Sequence, residues 1–367
     1  AKAKLLGVGD LMKAINAGFG LGLKDGTDIE QVIGFLSGMS GDIAKLRARI
    51  EAEVNADETI PAEKKAEEIA KRLNAEITKL FDSQERALEA IKGWTDELAK
   101  PENEALKARV LAALPKVMGW QGVIGGKLKA VAGADAEKVL YETREGQEGY
   151  VGLGFLIALA QDGKSLTEVD ASLANLEMIA GVIGGLNPDV PADRAVLESL
   201  YGVNGVLSGL AKALAGQTIL GPDGKPVAVK FDSSKVFENV MGFLMSMEVK
   251  DAADFRKALD AKLGAMEKVG DWIGELDAAQ LSAIYGLQSR LKAALAKEGE
   301  TVTPEDAFQT IVGYLMSFAE SEGKGVGDVK EALAALPVMV VWVEGLTPDA
   351  KAKLLGVGDL MKAINAG

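Results

Sequence analysis

The sequence predicts an all-α fold of four diverged three-helix units of about 70 residues, arranged as an α-solenoid or a row of helical bundles. A protruding helical hairpin and one small β-hairpin interrupt it. Three observations predict this. A Gly-aromatic-Leu segment recurs four times within apolar helical patterns, and two further helical patterns recur between its copies at matching spacing. Strand-like alternation is confined to residues 218–231.

The first helix of each unit, A, carries the recurrent segment: VIGFLSGM from Val32, VGLGFLIAL from Val151, VMGFLMSM from Val240 and IVGYLMSF from Ile311. Its marker glycines are Gly34, Gly154, Gly242 and Gly313. The second helix, B, ends at Leu98, Leu186, Leu276 and Leu346. The third, C, carries Gly202, Gly286 and Gly356, with Ala112 in that place in the first unit. Successive A markers lie 120, 88 and 71 residues apart, and 70 when Gly34 is carried forward by 349. The basic unit is the shorter spacing, so the longer intervals hold insertions.

Three insertions account for the excess. Residues 41–81 alternate charge densely and break near Asn55–Pro61, the pattern of two exposed helices. Residues 122–135 have no assignable shape. The third, TILGPDGKPVAVKF, places two short alternating strands about a Pro-Asp-Gly turn. The units are then 28–135, 136–233, 234–302 and 303–367, with 1–27 a helix C and joint belonging to a preceding superunit. Thr303-Pro304, Thr347-Pro348 and Asn187-Pro188 read as cap-plus-proline helix starts, and Asp28, Asp277 and Ser234 as caps. The 43 glycines include many in helix interiors, where each costs about 1 kcal/mol against alanine. Close helix crossings at Gly34, Gly154, Gly242, Gly313, Gly202, Gly286 and Gly356 would offset that cost.

Residues 1–18 and 350–367 are identical, AKAKLLGVGDLMKAINAG, at an offset of 349. The segment is an amphipathic helix pattern, with Leu5, Leu6, Val8, Leu11, Met12 and Ile15 on one stripe. Its copy repeats the stripe at Leu354, Leu355, Val357, Leu360, Met361 and Ile364. The second copy follows a start signal at Thr347-Pro348 and the first has none. The chain therefore reads as a window on a longer polypeptide repeating every 349 residues, its superunits joined through this helix and residues 19–27. An engineered duplication competing for one docking site, and a ring whose ends overlap, are the other two accounts.

Composition limits the chemistry. With no histidine and no cysteine, the Ser-His-Asp triad, thiol nucleophiles, zinc sites built on those residues and disulfides are excluded. A net charge of -13 without a basic patch disfavours nucleic acid. The longest uncharged runs, such as 199–211 and 307–319, fall short of the roughly 20 residues of a membrane span. Ala158–Ser165, ALAQDGKS, matches a permissive phosphate-binding loop, but it ends a helix A rather than following a strand. Ser289 and Lys292 have an acylating-enzyme spacing without companion motifs, and Gly18, Gly20 and Gly22 lack the strand of a dinucleotide fingerprint. Asp162, Asp223 and Asp25 do not form a calcium loop. Trp94, Trp120, Trp272 and Trp342 read as core anchors.

No catalytic, cofactor-binding or metal-binding residue is assigned, no cofactor is expected, and the chain is read as no enzyme. The expected role is structural: a self-associating repeat module of an extracellular or cell-surface filament, stalk or fibre. Its expected partner is itself, with no nucleic acid and no membrane insertion. The alternative is a binding module whose Met118, Met178, Met241, Met245, Met247, Met316 and Met339 line an apolar cavity for a lipid-like ligand.

Overall fold

The computed structural model describes residues 2–21, 40–57, 59–139, 148–221, 223–227, 229, 231–247, 251–296 and 307–355. The described chain is helical apart from one two-stranded antiparallel ladder. It divides into two compact bodies, Ala1–Ile124 with Tyr141–Gly184, and Gly125–Leu140 with Gly185–Gly367. The cap candidates Asp28 and Thr303 and the marker glycines Gly34 and Gly356 lie outside the described residues.

In the first body the organising element is α3, Lys65–Leu98, on which α1 (Lys2–Phe19), α2 (Ser40–Ala56) and α6 (Glu148–Gln161) all pack. Its buried residues Leu88, Ile91, Trp94 and Leu98 recur every three or four positions and form one stripe. Met12, Ile15 and Phe19 are buried on α1, and Ile50 and Val54 on α2. The charged segment is indeed a helical pair. Arg47–Glu51 and Arg72–Glu68 ion pairs span single turns at 2.8 Å. The connection is held where Asp57 accepts hydrogen bonds from the Thr59 amide and hydroxyl, and where Lys65 donates to the Asn55 carbonyl. The second helix does not stop at Phe81. Nothing between Lys65 and Leu98 breaks it, so the insertion and helix B are a single rod of 34 residues that ends before Pro101.

α4 (Glu104–Ala113) and α5 (Val117–Val131) flank a turn containing Pro115, and residues 122–135 are the end of α5 and the start of a 3₁₀ turn, Gly133–Lys138. α7 (Leu166–Gly185) buries Leu166, Val169, Leu173, Leu176, Ile179 and Ile183. Two contacts tie it to the preceding helices. Arg109 on α4 pairs with Asp170 at 2.8 Å, and Val123 of α5 lies against Gly184.

In the second body α8 (Pro191–Ala213) packs against α9 (Val236–Met245) and α10 (Ala252–Ile273). α10 packs against α12 (Ala307–Ala319). α11 (Ala278–Leu295) packs against both α12 and α13 (Val326–Glu344). The hairpin pairs β1 (Ile219–Leu220) with β2 (Pro226–Val227), Ile219 opposite Val227, through a turn that needs Gly224 at φ 73. β1 rests on α11.

Some helix starts differ from expectation. Asn187-Pro188 opens a turn in which Asn187 Oδ1 accepts from the Asp189 amide, and α8 begins three residues later with Pro191 in its first turn. The Ser234 hydroxyl donates to Asp232 Oδ1 at 2.6 Å, and Lys235 occupies the cap position. In both cases the nearby Asx turn outcompetes the cap for the same side chain. Asp277 forms a capping box with Gln280, and Thr347 Oγ1 accepts from the Ala350 amide at 3.3 Å, opening α14 (348–355).

No histidine is present, so no side chain has its ordinary pKa between pH 5 and 8. Glu168 is held low by the Ser165 amide and hydroxyl, and Asp328 by Lys324 and the Gly325 amide. Carboxyls depressed in the folded state contribute stability above their unfolded pKa and lose it as pH falls through the folded value. The melting temperature is therefore expected to be nearly flat from about pH 6 to 8 and to drop below about pH 4, which calorimetry across that range checks.

Candidate interaction surface

Four of the marker glycines make no close helix contact. A Cβ added at Gly154, Gly202, Gly242 or Gly313 would meet no atom within 4 Å, and Gly154, Gly242 and Gly313 are exposed. Their neighbours Leu153, Leu156, Val240, Leu244, Ile311 and Leu315 face the core, so the helical turn that buries them rotates the glycine outward. Nothing in the structure explains why those positions are glycine. A Cβ at Gly286 would lie 3.2 Å from the Leu220 carbonyl, so that glycine accommodates the hairpin rather than a helix.

The tight approaches fall elsewhere. A Cβ at Gly18 would stand 2.5 Å from Thr95 Cγ2, at Gly184 2.8 Å from Val123 Cγ1, and at Gly270 3.2 Å from Val206 Cγ2. Gly18 belongs to the duplicated segment, whose identity at two places was the sequence signal available for it. Of that segment's stripe, Met12 and Ile15 are buried and Leu11 half-buried in the first copy. Leu354 and Leu355 are half-buried in the second. The side chains of Leu5, Leu6 and Val8, and residues Val357, Leu360, Met361 and Ile364, lie outside what is described.

Exposed apolar side chains concentrate on α13. Val338, Met339, Val341 and Trp342 all face solvent there, while Leu336, Val340 and Val343 on the other side are buried. Position by position, the contrast with two other helices is sharp. Trp94, Trp272 and Trp342 each stand four residues before a leucine at or just past a helix end, Leu98, Leu276 and Leu346. Trp94 is 7% exposed and Trp272 6%, against 58% for Trp342. Three residues before each tryptophan, Ile91 and Val269 are 0% and 1% exposed, against 49% for Met339.

The helices that carry the buried pairs pack against the next helix of Gly-aromatic-Leu type, α3 against α6 and α10 against α12, as well as against α1 and α2 or against α8. On α10 the covered stripe is marked by Lys268, which donates to the Ala319 carbonyl at 3.0 Å, and by Lys262, which pairs with Glu320 at 3.0 Å. Counted back from the terminal leucine, the matching residues on α13 are Val338 and Ala332. The expectation that Trp342 is a core anchor fails, whereas Trp94 and Trp272 are buried.

The other candidate motifs are structural. In Ala158–Ser165, α6 ends at Gln161, Gly163 adopts φ 71, and Ser165 with Glu168 starts α7. Ser289 is buried within α11 and Lys292 is exposed on it. Gly20, at φ 63, ends α1 with its amide on the Asn16 carbonyl. Among the described residues no group of three or more carboxylates is gathered for a metal ion, and no helix is long and apolar enough to cross a membrane.

An open trough of about 470 Å³ runs between α8 and α10, walled by Val203, Val206, Leu263 and Met266 together with Asp260 and Glu267. A second, of about 690 Å³, lies between α11 and α12, bordered by Gln288, Lys292, Gln309 and Tyr314. None of Met118, Met178, Met241, Met245, Met247, Met316 and Met339 lines either one. No family model matches the chain, and no curated protein or solved structure is significantly similar to it.

Proposed function

We propose that the chain is a structural, self-associating module of a long tandem-repeat polypeptide that builds an extracellular or cell-surface filament, stalk or fibre. The carrying observation is the exact recurrence of 18 residues at an offset of 349, because a self-similar period is the mark of architectures in which each repeat contacts its neighbours. Within the period the reading divides the chain into four three-helix units. One packing relation supports this division, since three helices of type C lie against the helix B that follows them. α1 packs on α3, α8 on α10 and α11 on α13. The Arg109–Asp170 and Val123–Gly184 contacts join α4 and α5 to α7 in the same sense.

On this reading α1 is the last helix of the preceding superunit, seated on the first helix B of the next. Segment 350–367 repeats its sequence after a full period. On this reading each repeat gains stability from its contact with a neighbour, so that stability accumulates along the array. The extracellular placement belongs to the proposal. The test is the intact mass of the source polypeptide together with electron micrographs of it. A mass near a multiple of 349 residues and long thin fibres are expected. A polypeptide ending at this length that stays a dispersed monomer would overturn the reading.

A further inference from the structure

We infer that the apolar face of α13 made by Val338, Met339, Val341 and Trp342 is the docking surface for the amino-terminal region of the next copy of this chain. The inference rests on the tandem reading above and adds to it the surface at which copies meet. A contiguous apolar patch on an otherwise acidic protein marks a contact surface, and two internal precedents indicate what covers it. The matching pairs, Ile91 with Trp94 and Val269 with Trp272, are buried on helices that pack against α6 and α12, the next helices of Gly-aromatic-Leu type in the chain. The helix that would follow α13 in the same way belongs to the next copy.

The residue types agree with a second copy rather than a charged partner. On α10 the covering helix is met by Lys262 and Lys268, whereas α13 offers Ala332 and Val338 at those places. The junction between copies is therefore an apolar contact, and raised salt leaves it intact. It is also continuous with an existing interface, because Val340 and Val343 on the adjacent side of α13 are already buried in the body that contains α11.

The chain has no cysteine, so a single introduced thiol reports the exposure of this face. The probe is maleimide labelling of Trp342→Cys, with Val338→Cys as a second site and Lys330→Cys as the off-patch control. It is carried in the 367-residue chain and in a two-copy chain joining residue 349 of one copy to residue 1 of the next. Trp342 is mostly exposed, so its replacement leaves the fold intact.

In the two-copy chain the first copy's thiol at 342 or 338 is expected to react at least about tenfold more slowly than the second copy's, at low and high salt alike. Lys330→Cys is expected to react equally in both. Equal rates at 342 in both copies would overturn the docking surface without touching the array reading, which the source polypeptide's mass decides separately. Protection of 342 already in the single chain at high dilution would also overturn it, because some other element would then be the cover.

Discussion

Trp272→Ala is expected to destabilise the second body by about 3–5 kcal/mol, while Trp342→Ala, the same change at the matching position, is expected to cost less than about 1 kcal/mol. Both tryptophans stand four residues before a leucine just past a helix end, Leu276 or Leu346, and both follow an apolar residue by three. Trp272 is buried on α10, a helix that packs against α8 and α12 and also buries Leu263, Met266 and Val269. Removing its ring leaves a cavity that packed helices fill only in part, so the loss includes both transfer and cavity contributions. Trp342 already has most of its surface in water, and its removal leaves no cavity. Urea unfolding followed by far-ultraviolet circular dichroism measures both changes. Equal costs would mean that the two helices are covered alike. In the two-copy chain the order should change for the first copy alone, where Trp342→Ala is expected to become costly.

The helical class was legible because apolar residues recur at three- and four-residue intervals through nearly every long segment, and the hairpin because Pro-Asp-Gly stands between two short alternating runs. The unbroken course of α3 was harder to read. Residues 65–81 and 82–98 are equally charged, with seven charged side chains in each, so only the unit spacing placed a boundary near Phe81, and spacing alone does not end a helix. The marker glycines misled for a related reason. Glycine is recurrent at Gly154, Gly242 and Gly313, but recurrence says nothing about which side of a helix faces a neighbour. That is fixed by the flanking leucines and valines, which turn those glycines outward. The exposed face of α13 was illegible for the opposite reason. Its residues read as core, and only the absence of a cover in the described body distinguishes Trp342 from Trp94 and Trp272. A residue pattern encodes what must be covered without stating which copy of the chain supplies the cover.

Gly18→Val is expected to cost about 1–3 kcal/mol by overpacking, with some of the loss recovered when Thr95 is changed to glycine. The argument is steric. A Cβ at position 18 falls 2.5 Å from Thr95 Cγ2 and 2.6 Å from Thr95 Cβ, and β-branched threonine has few rotamers into which it can retreat. Thr95→Ala removes the first clash and leaves the second, so it should rescue less than Thr95→Gly. Double-mutant analysis of urea midpoints separates this coupling from the intrinsic effects of the substitutions on helix formation. A neutral Gly18→Val would show that α1 can rise off α3 at little cost. If the substitution is costly and Thr95→Gly relieves it, the close approach of α1 to α3 is a keyed contact. On the tandem reading Gly367 carries the same key into the next copy, so a valine at the junction glycine of the two-copy chain should weaken that link while leaving the packing of α8 on α10 untouched.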